Sequence, residues 1–481
     1  MIVPLRKVGI AIAVMFALLF ASSSYAQVLA SEDIADDDRN VRKLYESFSA
    51  ERGQILAGGI AVAESIPVDN QFKFLRTYPY GDLYAPVVGY YTLTQGNAGI
   101  ESAMNPLLTG RADSQLVEQL RALVTGTTPQ GASIMLSIDP EIQQLAWDAL
   151  GTHQGSVVVL EPATGRILAM VSKPSYDPNR LAAHSSSSVL EAYLELSDDP
   201  DNPLANRAIA GDLYFPGSVF KTVLMAAALE SGTYTADSEF PNPSELALPL
   251  STSVIKNSGG RLCGGEETVT LEDAFRLSCN IPFAELGVEL GEAAIGSMAD
   301  SFGFGATLEI PLRVTPSVFP RGLDEAQLML SSFGQFDVRA TPLEIAMISG
   351  AIANGGTLMT PNLVDQVIAP DLRVVDKFEP QIYSRPLSQN TASELTRMMV
   401  GNVQRGVAGN AGIAGIDVAG KTGTAETGIG NGRTFWFSGF APADNPQIAL
   451  AIAVEGDRSE GTGNAIAGPI ANTIFAGVIK P

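Results

Sequence analysis

Three short motifs follow one another along the chain: Ser218-Val219-Phe220-Lys221, Ser278-Cys279-Asn280 and Lys421-Thr422-Gly423. Between them they supply a serine hydroxyl, two lysines, a second serine, a carboxamide and a glycine flanked by hydroxyls. A serine becomes nucleophilic when a neighbouring base takes its proton. Lysine is such a base only when burial or a second cation lowers its pKa. The set therefore points to acyl transfer through serine without histidine. Each motif alone is common, so their surroundings have to decide.

Ser218 follows Pro216-Gly217 and opens an apolar stretch that reads as a helix ending before Gly232. The first turn of a helix offers free backbone N–H groups and the positive end of its dipole. Lys221 lies three residues on and shares a face with Ser218. Ser278-Cys279-Asn280 interrupts two helical stretches, the first capped by Thr270, the second beginning at Pro282 and ending at Gly287. Such a break aims Ser278 and Asn280 into a cleft and turns Cys279 away. Ser278 is then placed to relay a proton to a leaving amine, and Asn280 to hold a substrate amide. Lys421 opens a strand after Ala419-Gly420. With Thr422, Thr424 and the side-chain-free Gly423 it suits a terminal carboxylate. The backbone N–H groups of Ser218 and Thr424 are the expected oxyanion donors.

Two further matches fail on context. Ser253-Val254-Ile255-Lys256 repeats SxxK, but it runs into Asn257-Ser258-Gly259-Gly260 with no helix behind it. Ser388-Gln389-Asn390 repeats SxN, but it precedes the helix at 392–400 and reads as its cap.

The elements around the motifs are also legible. Asp139 and Pro140 start a helix that stops at Gly151. The apolar runs 156–160 and 167–171 flank the turn Pro162-Ala163-Thr164-Gly165 as a hairpin. Thr341, Pro342 and Glu344 read as a capping box opening a helix that ends before Gly355. Strands return at 421–426, 435–441 and 448–455. The economical fold is α+β: one mostly antiparallel sheet, closed by N- and C-terminal strands and covered by helices.

The 481 residues suit two or three domains, and the net charge of -22 argues against a nucleic-acid partner. The two histidines, His153 and His184, lie far from any Cys or carboxylate cluster of metal-ligand spacing, so no metal site is expected. Arg6 and Lys7 precede an uncharged run from Val8 to Ala30, which predicts a cytoplasmic N-terminus and an external body. Ser24-Tyr25-Ala26 before Gln27 resembles a signal-peptidase site, while the length of the run suits an uncleaved span. Residues 31–42, with Asp36-Asp37-Asp38, read as a linker. Cys263 and Cys279 are the only cysteines, and an external domain favours a bridge between them over two buried thiols.

The chain resembles a class B penicillin-binding protein, a monofunctional peptidoglycan DD-transpeptidase. The resemblance extends beyond the three motifs to Asn206-Arg207-Ala208 and Phe215-Pro216-Gly217, the hairpin region 155–179, Phe333-Gly334-Gln335, and Ala340-Thr341-Pro342-Leu343. Arg52-Gly53-Gln54-Ile55 and Gly99-Ile100-Glu101 are similar to the family's pedestal motifs. Ala57-Gly58-Gly59 departs from the Asp-Arg-Asn-Gly of many relatives. The resemblance implies a five-stranded sheet and three parts: a cytoplasmic tip and anchor (1–30), a pedestal (31–154) and a penicillin-binding transpeptidase domain (155–481). It implies that Ser218 is acylated by stem peptides ending in D-Ala-D-Ala and by β-lactams, with Lys221 as base. It also implies no cofactor, an uncleaved anchor and a membrane-embedded glycan polymerase of the SEDS type as partner. The rival readings are a β-lactam hydrolase or DD-carboxypeptidase on the same fold, and a non-catalytic wall- or β-lactam-binding protein.

Overall fold

The structure is a computed structural model that describes residues 2–25, 48–112, 115, 130–428 and 430–479. Ala26 and Gln27 of the cleavage-like site and the linker at 31–42 lie outside the described residues. Helix α1 (Ile2–Ser24) carries the apolar segment Arg6–Ser24, of mean hydropathy 1.8 and with none of it buried. Nineteen helical residues span roughly 28 Å, about the thickness of a bilayer's hydrocarbon core.

The pedestal contributes strands β1 (Ile55–Ala57), β2 (Ile60–Pro67), β3 (Phe74–Thr77) and β4 (Ser133–Leu136). Its centre is ionic. Both oxygens of the buried Glu101 carboxylate are taken, by Arg52 Nε and Arg76 Nε, each at 2.6 Å, and Tyr78 Oη donates to it at 3.2 Å. Paired guanidinium groups keep this carboxyl below its ordinary range although burial alone opposes ionisation. The motifs at Arg52 and Glu101 thus meet in one buried cluster.

Helix α2 (Pro140–Leu150) begins as expected, with Asp139 accepting from the N–H groups of Glu141 and Ile142. The hairpin β5 (Gly155–Leu160) and β6 (Ile167–Lys173) follows. The middle of the chain supplies helices α3 (Lys221–Glu230), α4 (Leu271–Leu277), α5 (Ile281–Leu290) and α6 (Pro342–Ala353). Strands β7 (Val364–Ile368) and β8 (Val374–Lys377) and helix α7 (Gln389–Arg405) come next. Strands β9 (Ala419–Glu426), β10 (Gly432–Ala441) and β11 (Ile448–Asp457) and helix α8 (Gly463–Val478) close the chain.

The main sheet is antiparallel with five strands, in the order β9-β10-β11-β5-β6. It is covered on both faces, which explains why its strands are apolar without alternation. Val157, Val159, Leu450 and Ile452 face Ala146 and Leu150 of α2 and Ile474 and Phe475 of α8. Val158, Leu160, Ala449 and Ala451 face the other core, with α3 and the buried helix α6.

Four expectations change. The sheet of the pedestal has the order β8-β7-β4-β1-β2-β3, so residues 364–377 complete it from far along the chain. Conversely α2, placed by sequence at the end of the pedestal, buries its apolar stripe against α8 and the main sheet. Helix α5 runs past Gly287 to Leu290. At α6, Thr341 caps Glu344 N, but Thr341 N donates to Ser317 Oγ at 3.2 Å. The Glu344 carboxyl turns inward instead of closing a capping box.

Candidate active site

The residue before the nucleophile region is fixed by the sheet. Trp436 Nε1 of β10 donates to Phe215 O at 3.0 Å. Gly217 N donates to Gly334 O at 2.9 Å. A Cβ on Gly334, whose φ is +77°, would stand 2.2 Å from Gly217 O, so this contact requires glycine. Upstream, Arg207 Nε and Tyr214 Oη both engage Glu455 of β11, at 3.1 and 2.6 Å. These contacts give the flanking motifs a physical role: they hold the turn that presents Ser218.

That turn is tighter than expected. Gly217–Phe220 form a 3-10 turn, and the α-helix proper starts at Lys221. Gly217 presses against Ala425 and Gly423 against Pro216 O, so Ser218 lies beside the edge strand β9.

Lys221 is fully buried. Its Nζ donates to Ser278 O at 2.9 Å and to Asn280 Oδ1 at 2.8 Å. Lys421 is also fully buried, and its Nζ donates to Ser278 Oγ at 2.8 Å and Thr422 O at 2.9 Å. Among the described residues neither lysine donates to Ser218 Oγ. Burial, and then the charge of Lys421, push Lys221 well below its ordinary value. Burial lowers Lys421 to about 7. Among the described residues no carboxylate offsets either cation, so near neutrality one of the pair sheds its proton readily.

Ser278 stands at the break between α4 and α5 with φ +59°, in the left-handed region. Thr270 caps α4 as expected, its side chain accepting from Asp273 N. Cys279 turns inward and is joined to Cys263, with Cα atoms 5.8 Å apart. Asn280 differs from expectation. Both its polar atoms are engaged within the protein, Oδ1 by Lys221 and Nδ2 on Lys256 O at 2.9 Å. It therefore orients the lysine, and its second N–H remains for a substrate amide in the cleft.

A cleft of about 1230 Å³ lies over these groups. Ser218, Ser278, Asn280, Thr422, Gly423 and Thr424 line it, while both lysines lie beneath. Thr424 Oγ1 accepts from Gly463 N at 2.9 Å. The facing wall is the short strand Val254–Lys256 and the loop to Gly260. The second SxxK is thus no catalytic pair: Ser253 is exposed and Lys256 Nζ lies 3.5 Å from Glu245. Yet the segment that carries it builds the cleft, a role that only the fold reveals. The second SxN is a cap, with Ser388 accepting from Thr391 N.

A buried lysine pair, two serines and an edge strand on a helix-covered five-stranded sheet define a histidine-free serine acyltransferase of the penicillin-binding type. Residues 155–476 match the penicillin-binding protein transpeptidase domain, and residues 52–134 match the penicillin-binding protein A dimerisation domain. The chain belongs to the penicillin-binding protein transpeptidase family. It is 42% identical to the peptidoglycan D,D-transpeptidase PbpA of Mycolicibacterium smegmatis, over 99% of each chain. It superposes on penicillin-binding protein A of M. tuberculosis, in a ceftriaxone acyl-enzyme complex, with TM-score 0.87 and 40% identity. That match covers 91% of this chain and 100% of the other. The D,D-transpeptidase domain of an Eggerthella lenta peptidoglycan glycosyltransferase matches with TM-score 0.77 and 34% identity, covering 89% of this chain and 99% of that one.

Proposed function

We propose that this protein is a membrane-anchored peptidoglycan D,D-transpeptidase that works through a Ser218 acyl-enzyme. The observation that carries this is the pair of buried lysines meeting at Ser278, under a cleft that also exposes Ser218. The relative identical at 42% bears that activity in its name, and a solved relative is a β-lactam acyl-enzyme.

Ser218 Oγ attacks the carbonyl of the penultimate D-Ala while its proton passes to neutral Lys221 Nζ. The N–H groups of Ser218 and Thr424 take the oxyanion. The C–N bond breaks as Ser278, backed by Lys421, delivers a proton to the leaving D-Ala amine. Lys421, Thr422 and Thr424 hold the terminal carboxylate, and Gly423 leaves room for the peptide. An amine of a neighbouring stem peptide then attacks the ester, forms the cross-link and frees Ser218. β-Lactams acylate the same oxygen. Helix α1 is read as a single uncleaved anchor; residues 31–154 without α2, completed by strands β7 and β8, are read as the pedestal, and α2 with the rest of 155–481 as the catalytic unit outside the membrane. A SEDS-type polymerase supplies the glycan strands.

The test is mass mapping of the peptide acylated by penicillin. The adduct is expected on Ser218, and Ser218→Ala is expected to form none. An adduct on Ser253, or a labelled Ser218→Ala protein, would overturn the assignment.

A further inference from the structure

Two buried asparagines outside the three motifs grip the break between α4 and α5 from opposite sides. Asn257 is 3% exposed although Lys256 and Ser258 beside it are exposed. Its Oδ1 accepts from Asn280 N at 2.8 Å and from Ile281 N at 3.1 Å, the orphan donors that open α5. Its Nδ2 donates to Asn242 Oδ1 at 3.0 Å and to Pro243 O at 3.3 Å. Asn242, fully buried, is tied in turn to Cys263 O at 2.6 Å and Glu266 O at 2.8 Å. Every neighbour of the Asn257 amide has a definite sense, so its oxygen must face α5.

Asn402 of α7 works in the reverse sense. It is fully buried, and its Nδ2 donates to Arg276 O at 2.7 Å and Phe275 O at 3.4 Å, the carbonyls that end α4. One amide thus holds the donor end of the second helix, the other the acceptor end of the first. Between them stand Ser278, in its left-handed conformation, and Asn280, whose Oδ1 and whose neighbour's carbonyl, Ser278 O, are the two acceptors of Lys221.

We infer that Asn257 and Asn402 are positioning residues for acylation: they set where Ser278 and Asn280 stand and hence where Lys221 points at Ser218. The inference rests on the proposed roles of Lys221 and Asn280. It extends them to residues that touch neither substrate nor Ser218. A displacement of about 1 Å at such a site costs on the order of 100-fold in rate.

The opposite polarity of the two grips gives an isosteric test. Asn257→Asp keeps the oxygen that accepts from Asn280 N and Ile281 N at a helix N-terminus, where negative charge is favoured, but loses the donations to Asn242 Oδ1 and Pro243 O. Asn402→Asp loses both donations and sets a carboxylate against carbonyls at a helix C-terminus. The measurement is the second-order rate constant for acylation by a fluorescent penicillin, normalised to titrated active sites, across pH on the full-length protein. The expected result is a loss of about 10- to 100-fold for Asn257→Ala and Asn402→Asp, and a smaller loss for Asn257→Asp, which keeps the grip on α5 and gives up only the anchorage to Asn242 and Pro243. In the slow variants the acid limb of the pH profile should also move, because Lys221 loses its acceptors. Residues serving stability alone would lower the melting midpoint and the titrated fraction, and leave the normalised rate and profile in place; that result overturns the inference. Asn280→Ala is the separating arm. If it is slow while Asn257→Ala and Asn402→Asp are not, the grip is refuted and the site reading stands. If Asn280→Ala itself acylates normally, the site reading fails and the inference falls with it.

Discussion

Lys221 and Lys421 stand on either side of Ser278, and both have given up water without gaining a carboxylate. The two ammonium groups repel, so the easiest proton to lose belongs to the pair. On the proposed mechanism, acylation needs Lys221 neutral and benefits from a cation at Lys421. The rate is therefore expected to rise with pH as Lys221 deprotonates, well below the ordinary lysine range, and to fall again as Lys421 loses its charge at about 7. Lys421→Arg keeps the charge at all accessible pH, so the alkaline limb near neutrality should vanish, measured as penicillin acylation from pH 5 to 10. Lys221→Met should lower the rate by about 10²–10⁴-fold, the usual worth of a general base. An unchanged alkaline limb in Lys421→Arg would show that the limb belongs to another group.

At the scale of elements, the site is a meeting of a tight turn, a helix break and a strand edge. The turn depends on a backbone contact through Gly334. Gly334→Ala places a Cβ against Gly217 O and asks for a positive φ that alanine resists. Slower acylation by at least about tenfold is expected, with the fold retained by circular dichroism. A wild-type rate would mean that the turn tolerates displacement. Much of this was legible from local chemistry. Pro216-Gly217 before an apolar run marks a helix entry, Thr270 and Asp139 are caps, and Lys421 follows small residues into a strand. What stayed hidden depends on distant parts of the chain. Asn257 looks like any loop asparagine until the fold lays it under Asn280 N. Glu344 carried a capping-box spacing, but the donor it would have satisfied already belongs to Ser317. Strands β7 and β8 were invisible as pedestal because periodicity says nothing of which sheet a strand joins.

At the scale of the whole molecule, Glu344 is a buried carboxyl without an opposing charge among the described residues. Glu344 is 2% exposed, and its Oε1 has no hydrogen-bond partner among the described residues. Burial raises its pKa from 4.5 to about 8. The folded protein therefore keeps this proton between those values, while the unfolded chain has released it. Stability from this group is intact below about 4.5, falls as pH rises, and levels off above about 8. Glu344→Gln should raise the melting midpoint by several degrees, on the order of 5 °C, at pH 8 and leave it nearly unchanged at pH 4.5. An equal shift at both pH values would mean that ionisation is not the cause.

The discontinuous pedestal sheet bears on how the protein is made. Strand β4 finds its neighbour β7 only when Val364 has emerged, after Ser218, Ser278 and the cleft wall between them. With the body outside the membrane as proposed, the pedestal has to wait during translocation with one edge of β4 unpaired, and an unpaired edge invites wrong partners. On that reading synthesis order and folding order are at odds: the pedestal, made first, is among the last parts to be finished. A pedestal cut out at residues 52–134 would keep that open edge permanently.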